Sequence, residues 1–360
     1  MSDRLKKVTG FLSDMNKKYQ KKYNGNIVFG GHDLTDFKPF ETGFPLVDHV
    51  NSGIGGFPRG GMTLIHGKES SGKSTFVLEA AKNHVIMFPD THILYLDVEN
   101  ALTREFIKYK ELDPSKLSIT NINSEDGLDV AEKALRDNVF DMIVIDSLAK
   151  IDSEKSQEKD INETVQRSTR ASLLASFFKR TTCVLRASNT ALVCINQEME
   201  NQNRKTQYDP ETIVPGGRQQ FHSANLRLQI TRSKAIKKGD EKVGYIASIV
   251  SKKNKIANRE NAKTEISYLY GKGFSRPKSL LDYLGLIGYV KSSKGIYEFI
   301  KKELYPDKFR ADEIIEITEG MKKHLGVDLY SITPTDSIEF IKDGGNDVGA
   351  DVDDIPAGED

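Results

Sequence analysis

The stretch GKESSGKST, Gly67 to Thr75, carries the densest chemistry in this sequence. It fits G-x-x-x-x-G-K-[ST], and it stands between the apolar run MTLIH and the helical pattern STFVLEAAK. Strand, glycine loop and helix start are the context in which such a loop cradles phosphate. Gly67 and Gly72 free the backbone to turn its N–H groups onto phosphate oxygens, and the helix N-terminus adds partial positive charge. Glu69, Ser70, Ser71 and Thr75 complete the lining. Lys73 is placed to reach the β- and γ-phosphates, and Ser74 to offer its hydroxyl to Mg²⁺. A chance match in a chain of this length has a probability on the order of 1 in 100 at average composition.

Three further polar groups stand at the ends of apolar runs. In DMIVIDSLAK, Asp146 closes the run Met142 to Ile145, where a carboxylate can hold the Mg²⁺ shell opposite a phosphate loop about seventy residues upstream. In HILYLDVENA, Glu99 lies just beyond a strand pattern and is the candidate general base for activating water; a surface acid near a helix start is the plainer alternative. In CINQEME, Gln197 offers a γ-phosphate sensor, though the pattern equally suits an exposed strand-end side chain without a role.

Positioning these groups requires an α/β sheet. Short apolar runs alternate with helical patterns from about 42 to 273, with strands expected at 62–66, 92–98, 142–146, 191–196, 226–232, 246–251 and 264–270. Helical patterns lie near 73–88, 126–137 and 165–181. Two polar stretches, 152–166 and 198–215, lack a pattern; long loops inside a compact domain are usually functional or disordered. Residues 276–342 read as a small α/β or helical module, and 343–360, rich in Gly and Asp, as a disordered tail. Near the start Leu5, Val8, Leu12, Met15 and Tyr19 form one helical stripe, equally suited to packing on its own domain or on a neighbouring subunit.

The chain has 360 residues, enough for a large core with appendages or for two domains. No apolar run approaches the ~18–20 residues of a membrane span, and the charged start lacks a signal-peptide apolar stretch. Cys183 and Cys194 are the only cysteines, which excludes a disulfide scaffold and a cysteine-rich zinc site and fits a reducing cytoplasm. Formal net charge is zero, but it is polarised. Residues 1–25 hold seven bases and two acids, whereas 343–360 hold seven acids and no base. The balance therefore does not exclude nucleic acid.

Taken together, GKESSGKST, YLDVENAL, IVIDSLA, CINQ, YDPETIVPGG and SKKNKIA resemble, in order and spacing, the RecA family of DNA strand-exchange proteins, over roughly residues 20–295. Scattered departures look more like a bacteriophage RecA-like recombinase than a cellular one. The resemblance implies a RecA-like P-loop ATPase core with a mostly parallel twisted sheet (34–275), an N-terminal helix and strand forming an oligomerisation arm (1–33), a small C-terminal domain (276–342) and the acidic tail (343–360). It implies ATP and Mg²⁺ as cofactors, with Lys73, Ser74 and Asp146 on phosphate and metal, Glu99 as catalytic glutamate and Gln197 as γ-phosphate sensor. Phe106 and Tyr270 match nucleotide-side aromatics, and Thr103 stands where cellular members carry an adenine-contacting Asp. Lys253 and Lys255 match lysines that reach a neighbouring subunit's phosphates.

The patternless stretches correspond to the family's two DNA-binding loops. Arg170 matches a phosphate-contacting arginine, Gly216 and Gly217 a glycine pair near the DNA backbone, and Tyr208 a wedge between base triplets, where stacking is worth ~1–3 kcal/mol per base. The expected partners are single-stranded DNA, a homologous duplex and further copies of the chain in a helical filament, with room for single-strand-binding and loading or mediator proteins and no membrane. The setting implied is the cytoplasm of a bacterial cell, or of the host if the protein is phage-encoded. Two rivals share the nucleotide residues: a hexameric RecA-fold helicase or translocase, and a non-enzymatic DNA-coating or regulatory protein that binds ATP but hardly hydrolyses it.

Overall fold

In a computed structural model, which describes residues 3–23, 36–152, 163–201, 204, 206, 208 and 210–332, the apolar runs pair into one nine-stranded sheet. Numbered along the chain, its strands are β1 (Met62–Gly67), β2 (Ile93–Asp97), β3 (Leu117–Thr120), β4 (Met142–Asp146), β5 (Ala191–Gln197), β6 (Leu226–Lys238), β7 (Glu241–Asn254), β8 (Lys263–Leu269) and β9 (Gly273–Phe274). Their spatial order is β9-β8-β7-β6-β1-β5-β4-β2-β3. Neighbours from β6 through β3 are parallel, and those from β6 out to β9 are antiparallel.

The apolar runs show no polar alternation because both faces of the parallel strands are covered. Met142 and Val144 of β4 enter one buried cluster with Ile65, Tyr95, Val193 and Ile195. The alternate residues Ile143 and Ile145 enter the other, with Leu64, Leu96, Leu192 and Cys194. A helix thus meets each face, and each strand's period of two divides its side chains between them. The edge strand β3 and the short β9 escape the periodicity reading: β3 has four residues, none buried, and β9 only two, too few for a pattern to stand out. The hairpin β6–β7 runs well beyond the expected 226–232 and 246–251, because its polar distal half pairs through backbone hydrogen bonds rather than apolar side chains.

Eight α-helices are described: α1 (Asp3–Tyr23), α2 (Lys73–Met87), α3 (Arg104–Tyr109), α4 (Glu125–Asp137), α5 (Glu163–Ala187), α6 (Gln219–Ser223), α7 (Arg276–Leu286) and α8 (Ile314–Leu325). Local signals set several ends. Ser124 caps α4 by accepting from the Asp126 amide, Asn138 closes it in a left-handed conformation at φ 51°, and Gly326 closes α8 at φ 68°. Helix α5 starts at Glu163, so the last residues of the patternless stretch 152–166 are helical. On α1, Val8 and Phe11 are exposed and Leu12, Met15 and Tyr19 only half-buried, so its stripe is not covered by this chain's own core.

Beyond β9 come α7, a three-stranded antiparallel sheet of β10 (Val290–Ser293), β11 (Ile296–Phe299) and β12 (Lys308–Phe309), and α8. Leu280, Tyr283, Phe299 and Met321 of this segment share one buried cluster with Phe44, Val47 and Phe76. Two polar ties reinforce the join: His49 Nε2 donates to the Tyr330 carbonyl (2.9 Å), and the Tyr283 hydroxyl donates to the Ile332 carbonyl (2.6 Å). The acidic stretch 343–360, most of the first patternless stretch and residues 24–35 lie outside the described residues. Among the described residues, no helix is long and apolar enough to cross a membrane.

Candidate functional site

Parallel pairing brings the candidate groups to one edge of the sheet. Gly67 is registered with Gln197, and Asp146 with Asp97 and Ile195. All lie at the C-terminal ends of strands, where an open α/β sheet binds ligands. The loop leaving β1 has glycines where nothing else fits. A Cβ on Gly67 would stand 2.1 Å from the Ile230 carbonyl oxygen, and one on Gly72, at φ +92°, 2.6 Å from the Tyr245 hydroxyl. Ser70 is held in the left-handed region at φ 58°, and the buried Ser71 hydroxyl has no hydrogen-bond partner among the described residues. Strain and an unpartnered donor together mark a loop shaped for a ligand.

Lys73 is buried at the first turn of α2, where its ammonium donates to the carbonyls of Gly67 (3.1 Å) and Lys68 (2.8 Å). Burial lowers its pKa, opposed by the nearby carboxylates of Asp146, Glu99, Glu198 and Glu69. Asp146 is 8% exposed, and its Oδ2 accepts from the Tyr95 hydroxyl at 2.6 Å. Desolvation raises its pKa, against hydrogen bonds from Ser74 and Tyr95. A buried carboxylate made costly by desolvation, hydrogen-bonded to a hydroxyl on the loop's helix, suits a hard divalent cation that takes few protein oxygens and keeps phosphate and water ligands. The donor set Ser74 and Asp146 therefore fits magnesium.

Glu99 is exposed beyond β2 and accepts at the same oxygen, Oε1, from Ser147 Oγ (2.6 Å) and Gln197 Nε2 (2.8 Å). The turn that presents it is built by buried Asp97, whose carboxylate accepts from the amides of Ala101 (3.1 Å) and Leu102 (2.8 Å). The peptide bond between Asp146 and Ser147 is cis. The sequence places Asp97 inside the strand without a role and gives none to Ser147 or Tyr95. Their signal was adjacency to the acids, but apolar runs give no indication of which neighbour turns toward them.

Phe106 and Tyr270 are linked through a buried lysine. The Lys110 ammonium lies 5.8 Å from the Phe106 ring centre and 5.9 Å from that of Tyr268, whose ring is 6.1 Å from that of Tyr270. Phe106 is half-buried and Tyr270 46% exposed. Thr103 caps α3, its Oγ1 accepting from the Phe106 amide at 3.1 Å, so this residue orients the aromatic through the backbone.

Lys253 and Lys255 do not join the phosphate loop of their own chain. Leu226 pairs with both Asn254 and Thr63, which puts the two lysines beside the N-terminal end of β1, roughly 13 Å along the strand from Gly67. The Lys253 ammonium donates to the carbonyls of Phe221 and His222. Burial and neighbouring Lys255 lower its pKa to about 8.

The roots of the two polar stretches meet at α5. Arg170 donates to the Ile151 carbonyl (2.7 Å) and to Asp152 (2.7 Å), where residues 153–162 depart. Gly216 and Gly217, at φ +98° and +80°, rest against Leu174 and Ala171 of α5. Asn196, one residue before Gln197, donates to the Pro215 carbonyl and to buried Gln220, both at 2.8 Å, fastening the return of the second stretch to β5. Sequence reading passed over Asn196 and Gln220, although Asn196 stands inside the CINQ motif. Tyr208 is 88% exposed.

Comparison with known proteins matches residues 6–275 to the model of the RecA N-terminal domain. Protein RecA of Aquifex pyrophilus is 29% identical over 308 residues, covering 84% of this chain and 85% of that protein. Protein RecA of Streptomyces avermitilis is 28% identical over 344 residues (93% and 89%), and that of Halalkalibacterium halodurans 27% identical over 336 residues (91% and 94%). With the family model spanning the phosphate loop, the strand-end acids, Gln197 and the paired lysines, this chain belongs to the RecA family.

Proposed function

We propose that this protein is an ATP-dependent recombinase that forms helical filaments on single-stranded DNA, pairs it with a homologous duplex and exchanges strands, hydrolysing ATP in a DNA-dependent reaction. The observation that carries the reading is Glu99, whose Oε1 is shared by Ser147 beside Asp146 and by Gln197 at the head of the second polar stretch. Relatives named RecA along most of the chain favour it over a hexameric helicase.

In this reading Lys73 exchanges its carbonyl partners for phosphate oxygens, gaining a charged partner for a desolvated ammonium. Magnesium held by Ser74 and Asp146 would neutralise charge on the phosphates. Glu99 orients a water and takes its proton, and Gln197 must release Glu99 to reach the γ-phosphate, so catalysis and sensing trade one hydrogen bond. Phe106 and Tyr270 flank the base. Lys253 and Lys255, facing away from their own loop, act on the phosphates of the neighbouring subunit. Arg170, Tyr208 and the Gly216–Gly217 backbone serve DNA; contacts to phosphate bring affinity without sequence preference, and homology is read by base pairing.

The test is electron microscopy on circular single-stranded DNA with a slowly hydrolysed ATP analogue, alongside ATPase assays. Continuous helical filaments and DNA-stimulated turnover lost in Glu99→Gln are expected. Closed rings on DNA, or turnover indifferent to DNA, would overturn the reading.

A further inference from the structure

Glu198 directly follows Gln197, yet its side chain is only 4% exposed. It sits at a junction of three segments. Its amide donates to the Gly67 carbonyl at 2.9 Å, the residue that opens the phosphate loop. Its Oε1 accepts from Nδ1 of His66 (2.7 Å) on β1 and from Nε2 of Gln229 (2.7 Å) on β6; His66 and Gln229 are themselves paired in register. Its Oε2 accepts from the Thr212 hydroxyl (3.3 Å). Thr212 belongs to the returning limb of the second polar stretch, which closes on the outgoing limb by pairing Met199 with Ile213 and Glu200 with Thr212. Asn201 adds two ties to that limb, its backbone amide donating to the Glu211 carbonyl and its side-chain Nδ2 to the Pro210 carbonyl.

Three donors converging on one carboxylate explain why it stays ionised inside the protein. Desolvation raises its pKa, but the hydrogen bonds from His66, Gln229 and Thr212 outweigh it and leave the pKa lowered. The arrangement has a mechanical meaning. A displacement of Gln197 toward bound phosphate moves the next residue, and that residue's side chain grips both the strand feeding the phosphate loop and the far limb of the stretch proposed to bind DNA. The backbone alone would pass the displacement only into the near limb.

We propose that Glu198, with His66 and Thr212, is a positioning residue that couples the nucleotide state to the DNA-binding stretch by holding both of its limbs to the phosphate-loop strand. The proposal rests on the reading of Gln197 as sensor and of 198–215 as a DNA-binding loop. Its measure is the ratio of single-stranded DNA affinity with a slowly hydrolysed ATP analogue to that with ADP. Allosteric couplings of this kind are typically 5–150-fold. In Glu198→Ala, measured at saturating nucleotide, the ratio is expected to fall ~10-fold. Glu198→Gln, which keeps an acceptor for His66 and Gln229 and a polar contact to Thr212, should restore most of the ratio. Should the alanine variant fail to fold, Thr212→Val removes only the tie to the returning limb, and it should lower the ratio ~3-fold.

A parent protein with no difference between the two nucleotides would refute the sensor reading itself. A parent ratio abolished by Gln197→Ala but untouched by Glu198→Ala and by Thr212→Val would refute this proposal alone. A ratio lost equally in Glu198→Gln would also refute it, because the hydrogen bonds, not the charge, are assigned the coupling.

Discussion

Lys110→Met tests whether the buried ion pair near Phe106 and Tyr270 holds that part of the fold together. The Lys110 ammonium donates to Glu79 Oε1 at 2.6 Å, with the two side chains 5% and 10% exposed. Glu79 Oε2 accepts from the Phe274 amide at 2.8 Å, and a Cβ on Gly273 would stand 2.1 Å from its Oε1. The carboxylate is thus enclosed by β9, which follows Tyr270, and by Lys110 at the end of α3, the helix that carries Phe106. Removing one member of a buried pair leaves an uncompensated charge and costs ~3–5 kcal/mol. Glu79 keeps one backbone donor in the variant, so the lower end of that range is expected near pH 8. Adding Glu79→Gln removes the orphaned charge while keeping an acceptor for Phe274, so the double variant should recover at least half of the loss.

The pH dependence has a definite sign. Desolvation raises the Glu79 pKa above 4.5, against the hydrogen bond and charge of Lys110 and the Phe274 amide. The folded state therefore binds this proton more tightly than the unfolded chain. The group's contribution to stability is complete below 4.5 and is lost as pH rises through the folded pKa. Removing Lys110 takes away the largest opposing influence and raises the pKa further, so the deficit of Lys110→Met shrinks on acidification. Urea denaturation of parent, single and double variants at pH 8 and pH 5.5 measures this. A Lys110→Met protein within ~1 kcal/mol of the parent at pH 8, or a deficit that grows at pH 5.5, would refute the reasoning.

Tyr95→Phe keeps the ring and removes the hydroxyl that fixes Asp146 Oδ2. It should raise the magnesium concentration for half-maximal nucleotide binding ~10-fold, and an unchanged requirement in a fluorescent-nucleotide titration would sink the assignment. The buried His84 ring donates from Nδ1 to the Glu41 carbonyl and accepts from Arg59 at Nε2; burial lowers its pKa to about 4. Its contribution to stability is present above 6.5 and lost as pH falls through 4. The ring should titrate by NMR near 4, and a midpoint above 6 would contradict the arrangement.

What the linear sequence determined was chemistry that depends on local order. The phosphate loop is legible because its glycines, Lys73 and Ser74 fall within one short stretch, and close backbone approach at Gly67 and a left-handed conformation at Gly72 exclude other residues there. Strands buried on both faces are legible as unbroken apolar runs. Asp146, Glu99 and Gln197 are legible as polar residues where such runs stop.

Tertiary structure decided everything that depends on which strand lies beside which. The spatial order sets β1 between β5 and β6, bringing Gly67 beside Gln197 and His66 beside Gln229 across long intervals of chain. Tyr95 reads as one more apolar strand residue until parallel pairing of β2 with β4 carries its hydroxyl to Asp146. Glu198 and Glu79 read as ordinary surface acids, one beside a loop and one on a helix, because hydrophobic patterning averages over a face and cannot single out a buried charge. Their burial is stable only because partners from other strands and helices converge on them, and that convergence is a property of the fold.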